Sequence, residues 1–207
     1  MSKIDTSSWK KFKVSDLFTS ETGDIDLQQK DVNGKGIPLI SSGESNTGVI
    51  GSTDRPAKIV PGNTITVDMF GSVWYRDFQY KMVTHARVFA LIPKKPINRE
   101  IGLYLASTLK KLTTEFSYNN MCSWNKIKDI EILLPAQTED VPDWDYMQER
   151  IAELEQERIA ELEQYLVAAG LNDYTLTEDD LKVLSLSLVP GVTKTEILRL
   201  MLRFQSR

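Results

Sequence analysis

Apolar and polar positions alternate in two rhythms along this chain, and the change falls near residue 140. From there on the rhythm is helical. Met147, Ile151, Leu154, Ile159, Leu162 and Leu166 fall on one stripe at 100° per residue, with the Glu and Arg residues largely outside it. An octad is written twice, RIAELEQE over residues 150–157 and RIAELEQY over residues 158–165. Its Glu, Leu, Gln, Arg and Ala lose little rotamer freedom in a helix. No Gly or Pro interrupts it between Pro142 and Gly170. Asp143 is placed to cap the free amides of the first turn, and Gly170 to stop the last. A helix over residues 143–169 spans about 40 Å at 1.5 Å per residue. Two arrangements fit this pattern. The helix either projects and pairs with another helix, or lies along the sheet of its own domain.

Before residue 140 the apolar runs are short and broken by turn residues. Residues 9–18 hold Trp9, Phe12, Val14, Leu17 and Phe18, which predict a short strand followed by a turn or helical start. Residues 19–35 are polar and read as a loop or short helix. Short strands follow over 36–43 and 44–51, then an alternating strand with Ile65, Val67 and Met69. Residues 84–92 (THARVFALI) read as a central strand closed by Pro93, and residues 125–135 as a last strand. Ile101, Leu105, Leu109 and Leu112 recur at helical spacing and predict a helix over 98–112. After Gly170, residues 171–176 read as a connector, Thr177 starts a helix, Pro190-Gly191 breaks it, and residues 193–203 form a final short helix. The expectation is an α+β fold in three parts. An irregular curved sheet occupies residues 1–140, a long coiled-coil type helix residues 141–170, and a connector with short C-terminal helices residues 171–207.

Composition narrows the class. The 207 residues contain one cysteine, Cys122, so no internal disulfide forms and a reducing, cytoplasmic setting is expected. The N-terminus is polar and no apolar run approaches membrane-spanning length. The formal net charge of −4 is unevenly spread. Residues 1–140 hold 18 Lys and Arg against 16 Asp and Glu, and residues 141–207 hold 7 against 13, together the 25 and 29 of the chain. The acid therefore sits on the helices, and the first part is mildly basic.

Signs of catalysis are few. The single histidine, His85, lies in an apolar run with no evident partner, which favours a structural role over a catalytic base. The His and Cys count excludes a Cys/His metal site. The GxxxxGK[ST] and GxGxxG phosphate loops and the GxSxG elbow are absent. Cys122 lacks an activating neighbour in sequence and reads as a buried or incidental thiol.

Binding features are richer. Ser41, Ser42 and Asn46 sit at a strand end. Ser72, Trp74, Tyr75, Arg76, Gln79 and Lys81 interleave aromatics with donors. Tyr118, Asn119, Asn120, Trp124 and Lys126 do so again. Arg, Gln and Asn form paired hydrogen bonds to purine edges, and Lys and Arg hold phosphates. Taken alone, the same residues read more readily as core aromatics and loop-satisfying amides.

The order of segments resembles the specificity subunits of type I restriction-modification enzymes and the related subunits of bifunctional restriction systems. The matching residues begin with Trp9, Phe12, Val14, Asp16, Leu17 and Phe18, followed by residues 36–40 (GIPLI) and 46–51 (NTGVIG). They continue with Phe116 and Tyr118, residues 126–130 (KIKDI) and 133–135 (LLP), residues 142–147 (PDWDYM), and the repeated helix. The resemblance implies a non-catalytic target-recognition domain that reads one half of a bipartite double-stranded DNA site. It also implies a helix that spaces recognition domains and docks an adenine methyltransferase, and through it an endonuclease. S-adenosylmethionine would belong to the methyltransferase partner, with no cofactor in this chain. The match covers one of the two recognition halves of the family's full-length subunits, so the chain reads as a natural half-subunit or a truncated one. A homodimer pairing through Met147, Ile151, Leu154, Ile159, Leu162 and Leu166 would rebuild the two-domain arrangement. The alternative is a protein-interaction adaptor that uses the helix as a coiled coil.

Overall fold

The computed structural model describes residues 6–170; the connector and short helices expected after Gly170 lie outside the described residues. Residues up to Gln156 form one compact unit, and residues 157–170 belong to a second.

The first unit starts where its aromatics predict. β1 (Trp9–Lys13) turns Phe12 into the core and leaves its lysines at or near solvent. One helical turn, α1 (Val14–Leu17), follows because the Asp16 carboxylate accepts from the Lys13 amide at 2.9 Å. Then come β2 (Phe18–Thr22), β3 (Ile37–Ile40), β4 (Val49–Thr53), β5 (Thr64–Val67), β6 (Val73–Arg76), β7 (Lys81–Met82) and β8 (Phe89–Pro93). The remaining elements are α2 (Arg99–Leu109), α3 (Trp124–Ile127), β9 (Glu131–Thr138), β10 (Val141–Pro142) and α4 (Trp144–Ala168).

Among the described residues the strands form three sheets. One is antiparallel, in the order β1-β9-β10, and ties the start of the unit to its end. The second is antiparallel, in the order β2-β8-β5-β6. The third, β4-β3-β7, pairs β3 with β4 antiparallel and with β7 in parallel. The second sheet lies between two cores, as side-chain alternation requires. Ile65 and Val67 of β5 and Phe89 and Leu91 of β8 face the larger core, with Leu105 and Leu109 of α2 and Met147 of α4. Ala90 joins the smaller core, with Leu39, Ile40, Tyr80 and Met82. The interleaved Thr64 and Thr66 of β5 are buried too, and both are hydrogen-bonded. Thr64 Oγ1 lies 2.9 Å from the Tyr80 hydroxyl, and Thr66 Oγ1 accepts from Arg76 Nε at 3.0 Å.

α2 is capped by Asn98, whose Oδ1 accepts from the Ile101 amide at 3.0 Å. It packs on β6 through Gly102, where a Cβ would collide with the Tyr75 ring. α4 is capped by Asp143, which accepts from the Tyr146 amide at 3.1 Å, and closes at Gly170 with φ +68°.

Two expected strands are shorter than their sequence patterns imply. Residues 84–87 are a turn, with the Arg87 amide donating to Thr84 O at 3.0 Å, and the strand begins only at Phe89. Residues 124–127 form the single helical turn α3, and β9 begins at Glu131. Met69 lies beyond β5 in a turn. No helix among the described residues is long and apolar enough to cross a membrane.

Candidate functional site

Three loops distant in sequence are fastened to one turn, which is built on Asp68. Asp68, at the end of β5, is buried, and its carboxylate accepts from the amides of Phe70 and Ser72 at 2.9 Å each, which closes the 68–72 turn. The other oxygen accepts from the Gly43 amide at 2.9 Å, which ties in the loop carrying Ser41, Ser42 and Asn46. On the same turn, Met69 O accepts from the Cys122 amide at 2.8 Å, which ties in the loop carrying Tyr118, Asn119, Asn120, Trp124 and Lys126. A buried carboxylate filled by backbone N–H groups is a strong, specific anchor.

Beside this anchor lies a cleft of about 800 Å³. Tyr118, Asn119, Trp124 and Lys126 line it, so the last predicted loop does gather at one surface. Tyr118 is 73 % exposed. Lys126 is exposed but not loose: its Nζ donates to Asn120 Oδ1 and Met121 O, each at 2.7 Å, and sits 6.0 Å from the Phe116 ring centre. Asn120 thus props Lys126 rather than lining the cleft. Cys122 also lines it, but the residue is buried, which with the nearby Asp68 pushes its thiol up to about 12 and leaves it unreactive at neutral pH.

The opposite wall comes from the 84–87 turn, which has the sequence pattern of a strand. Here one carboxylate again organises the chain. Asp26 Oδ1 accepts from Thr84 Oγ1 at 3.0 Å and the His85 amide at 3.1 Å, and sits 2.7 Å from His85 Nδ1. The His85 side chain, and then its amide, hold the Asp26 carboxyl down at about 2. His85 therefore has a partner, and its role is to fix a turn. Arg87 follows, exposed, lining the cleft, and in the left-handed region at φ +49°. Sequence reasoning missed it because no Gly, Asn or Pro marks the turn.

Other predicted contacts are placed elsewhere. Arg76 is 1 % exposed. Its guanidinium donates to Thr66 Oγ1 at 3.0 Å, Thr47 Oγ1 at 3.1 Å and Thr47 O at 2.5 Å, and burial pulls it down to about 10. Lys81 is buried and donates to Thr53 O at 3.2 Å and Arg55 O at 2.5 Å. Ser72 is buried in the Asp68 turn. These three, expected as surface contacts, lie inside: Arg76 and Lys81 act as struts whose partners lie far away in sequence, and Ser72 is enclosed by its own turn. Arg76 in particular holds the 45–48 loop, where Asn46 and Thr47 carry φ +46° and +54°. Tyr75 lies half-buried on α2 with its hydroxyl donating to Asn63 Oδ1 at 2.5 Å. The half-buried Trp74 stacks under the Lys110 ammonium, 5.6 Å from the ring centre. Gln79 is exposed, away from the cleft lining.

The helical stripe divides. Met147 is buried in the larger core, and Ile151 packs against it. Asn98 Nδ2 donates to Gln148 Oε1 at 2.5 Å, and Arg99 pairs with Glu155 at 2.6 Å. Leu154 is half-buried, as is Leu166, whereas Ile159 and Leu162 are 49 % and 57 % exposed. The start of α4 thus lies on its own domain, while Ile159 and Leu162 are exposed.

Residues 6–164 match the model of the type I restriction modification DNA specificity domain, and the chain belongs to that family. Among individual proteins it is similar to the type II restriction enzyme specificity subunit S.BcgI of Heyndrickxia coagulans, at 27 % identity over 150 residues, covering 72 % of this chain and 44 % of that protein. The fold is shared with solved structures. The S subunit of a type I restriction-modification system from M. genitalium aligns with a TM-score of 0.52 at 17 % identity, over 78 % of this chain and 42 % of that one. The HsdS subunit of Thermoanaerobacter tengcongensis aligns with a TM-score of 0.51 at 15 % identity, over 79 % and 41 %. A chain from a study of the assembly of the type I R-M system aligns with a TM-score of 0.55 at 14 % identity, over 81 % and 43 %. The chain spans under half the length of each of these relatives.

Proposed function

We propose that this chain is the DNA-reading subunit of a restriction-modification assembly and does no chemistry of its own. Its first unit reads one half of a bipartite double-stranded target. α4 docks an adenine methyltransferase subunit, which holds S-adenosylmethionine, and through it the endonuclease. Two copies pair through the exposed Ile159 and Leu162 and present two reading units to one DNA, as a coiled coil joins partners.

The observation that carries this reading is the convergence of separate loops on the Asp68 turn beside a cleft edged by Arg87 and Lys126. The cleft combines what duplex recognition needs. Cations meet phosphates, a guanidinium fork and the Asn119 amide match base edges, and Tyr118 and Trp124 supply flat apolar surface. Rigid loops on a sheet scaffold suit this task, since little is left to order on binding.

The test is binding of the chain, with its methyltransferase partner, to duplex DNA at several salt concentrations. Affinity falls linearly on a log–log plot as salt rises, by counterion release. A stable protein complex with a flat salt response and no footprint on DNA would instead favour the adaptor.

A further inference from the structure

We propose that Arg87 is the base-reading residue of the cleft, contacting a guanine edge in the major groove of the half-site through its guanidinium fork. The proposal rests on the DNA-recognition reading and adds the residue that sets its specificity.

Arg87 stands apart from the other arginines among the described residues. Arg55 pairs with Asp31, Arg99 with Glu155, Arg150 with Glu153 and Arg158 with Glu161, while Arg76 is spent on the threonines beneath the 45–48 loop. Arg87 has neither an ion pair nor a hydrogen bond from its side chain among the described residues, although it lines a cleft rich in polar groups. An exposed guanidinium left open in a cleft keeps its N–H fork free for a ligand.

The backbone beneath it is held hard. Ala86 and Val88, on either side, are both buried in the smaller core. Two and three residues earlier, His85 and Thr84 are clamped by Asp26 through three contacts. The Arg87 amide closes the turn on Thr84 O at 3.0 Å. Between these anchors the chain holds an arginine at φ +49°, a conformation that glycine or asparagine adopts with less strain. The turn would be more comfortable with a smaller residue, so packing does not account for an arginine here. Strain of this kind collects where a side chain is held ready for a ligand.

The chemistry then selects the ligand. A phosphate is satisfied by a point charge, which Lys126, steadied by Asn120 and Met121, already offers across the same cleft. A planar fork on a fixed turn suits a bidentate acceptor, and the O6 and N7 of guanine are the base-edge acceptors it fits best.

The experiment uses the full chain in complex with its methyltransferase partner. Bound duplexes are selected from a randomised pool and sequenced, for the wild type and for Arg87→Lys and Arg87→Gly. Affinity for an unselected duplex is measured against salt, and thermal stability is recorded for each variant. The wild type is expected to demand guanine at one position of each half-site. Arg87→Lys keeps its salt slope and unselected affinity but loses roughly tenfold to hundredfold of preference at that position alone, the worth of one bidentate contact. Arg87→Gly loses the same preference while its melting temperature stays level or rises. Preferences unchanged at every position in both variants would overturn the proposal. So would Arg87→Gly lowering the salt slope by about one with all base preferences intact, the mark of a phosphate contact. A wild-type complex that selects no sequence would overturn the recognition reading itself, and this proposal with it.

Discussion

Arg76 and Lys126 are both cations in aromatic-rich segments, and the structure gives them opposite roles. Arg76 is buried with threonine partners, so Arg76→Ala strands Thr66 and Thr47 acceptors and opens a cavity. It should cost about 2–4 kcal/mol in urea unfolding, while the salt slope of DNA binding stays unchanged. Lys126 is exposed, so Lys126→Ala should leave stability within about 0.5 kcal/mol and lower the salt slope by about one. A sequence shows neither distinction, because the partners of Arg76 lie 10 and 29 positions away. Asp26 offers a pH signature. Its carboxyl is held at about 2 rather than 3.8, chiefly by the His85 side chain. A carboxylate with a depressed value contributes stability above 3.8 and loses it as pH falls through about 2. His85→Ala should move the Asp26 midpoint back up toward 3.8, as followed by carboxyl carbon NMR, and loosen the turn that presents Arg87. An unmoved midpoint would remove His85 from this role.

At the scale of elements, legibility followed periodicity and caps. α2 and α4 were readable because their apolar stripes repeat at 3.6 residues, and α4 also because Asp143 sits where a cap is needed. β1 was readable from its clustered aromatics. The 84–87 turn was not, because buried Ala86 and Val88 alternate as a strand would, and the reversal at Arg87 lacks a turn-forming residue. α3 was missed because one helical turn is too short to show a period. The loops of the site were partly legible: their residue types were apparent, but their meeting at Asp68 depends on contacts 25 residues or more apart. The length of α4 carries a metric prediction. Asn98–Gln148 and Arg99–Glu155 lock its start to the reading unit, so in a paired assembly its length would set the distance between two such units. Inserting a third octad adds ~12 Å and about 80° of rotation. Mapping of the recognised sequence should then show a changed spacer with the half-site bases unaltered. An unchanged spacer would reduce α4 from a ruler to a plain contact.

For the whole molecule, charge is divided along the chain. The mildly basic part carries the cleft, and the acidic share sits on α4 and beyond, where phosphate is not expected to bind. On the proposed reading, this separation lets one chain hold DNA with one part and protein with another. The central claim is that this chain decides which DNA sequence its assembly acts on. Mapping methylated adenines across the DNA of cells that carry the methyltransferase partner, with and without this chain, tests it most directly. With the chain present, methylation should fall within one bipartite motif, its two halves related by symmetry and divided by a spacer of fixed length, and without the chain that pattern should vanish. The same methylated sites in both cells would contradict the account.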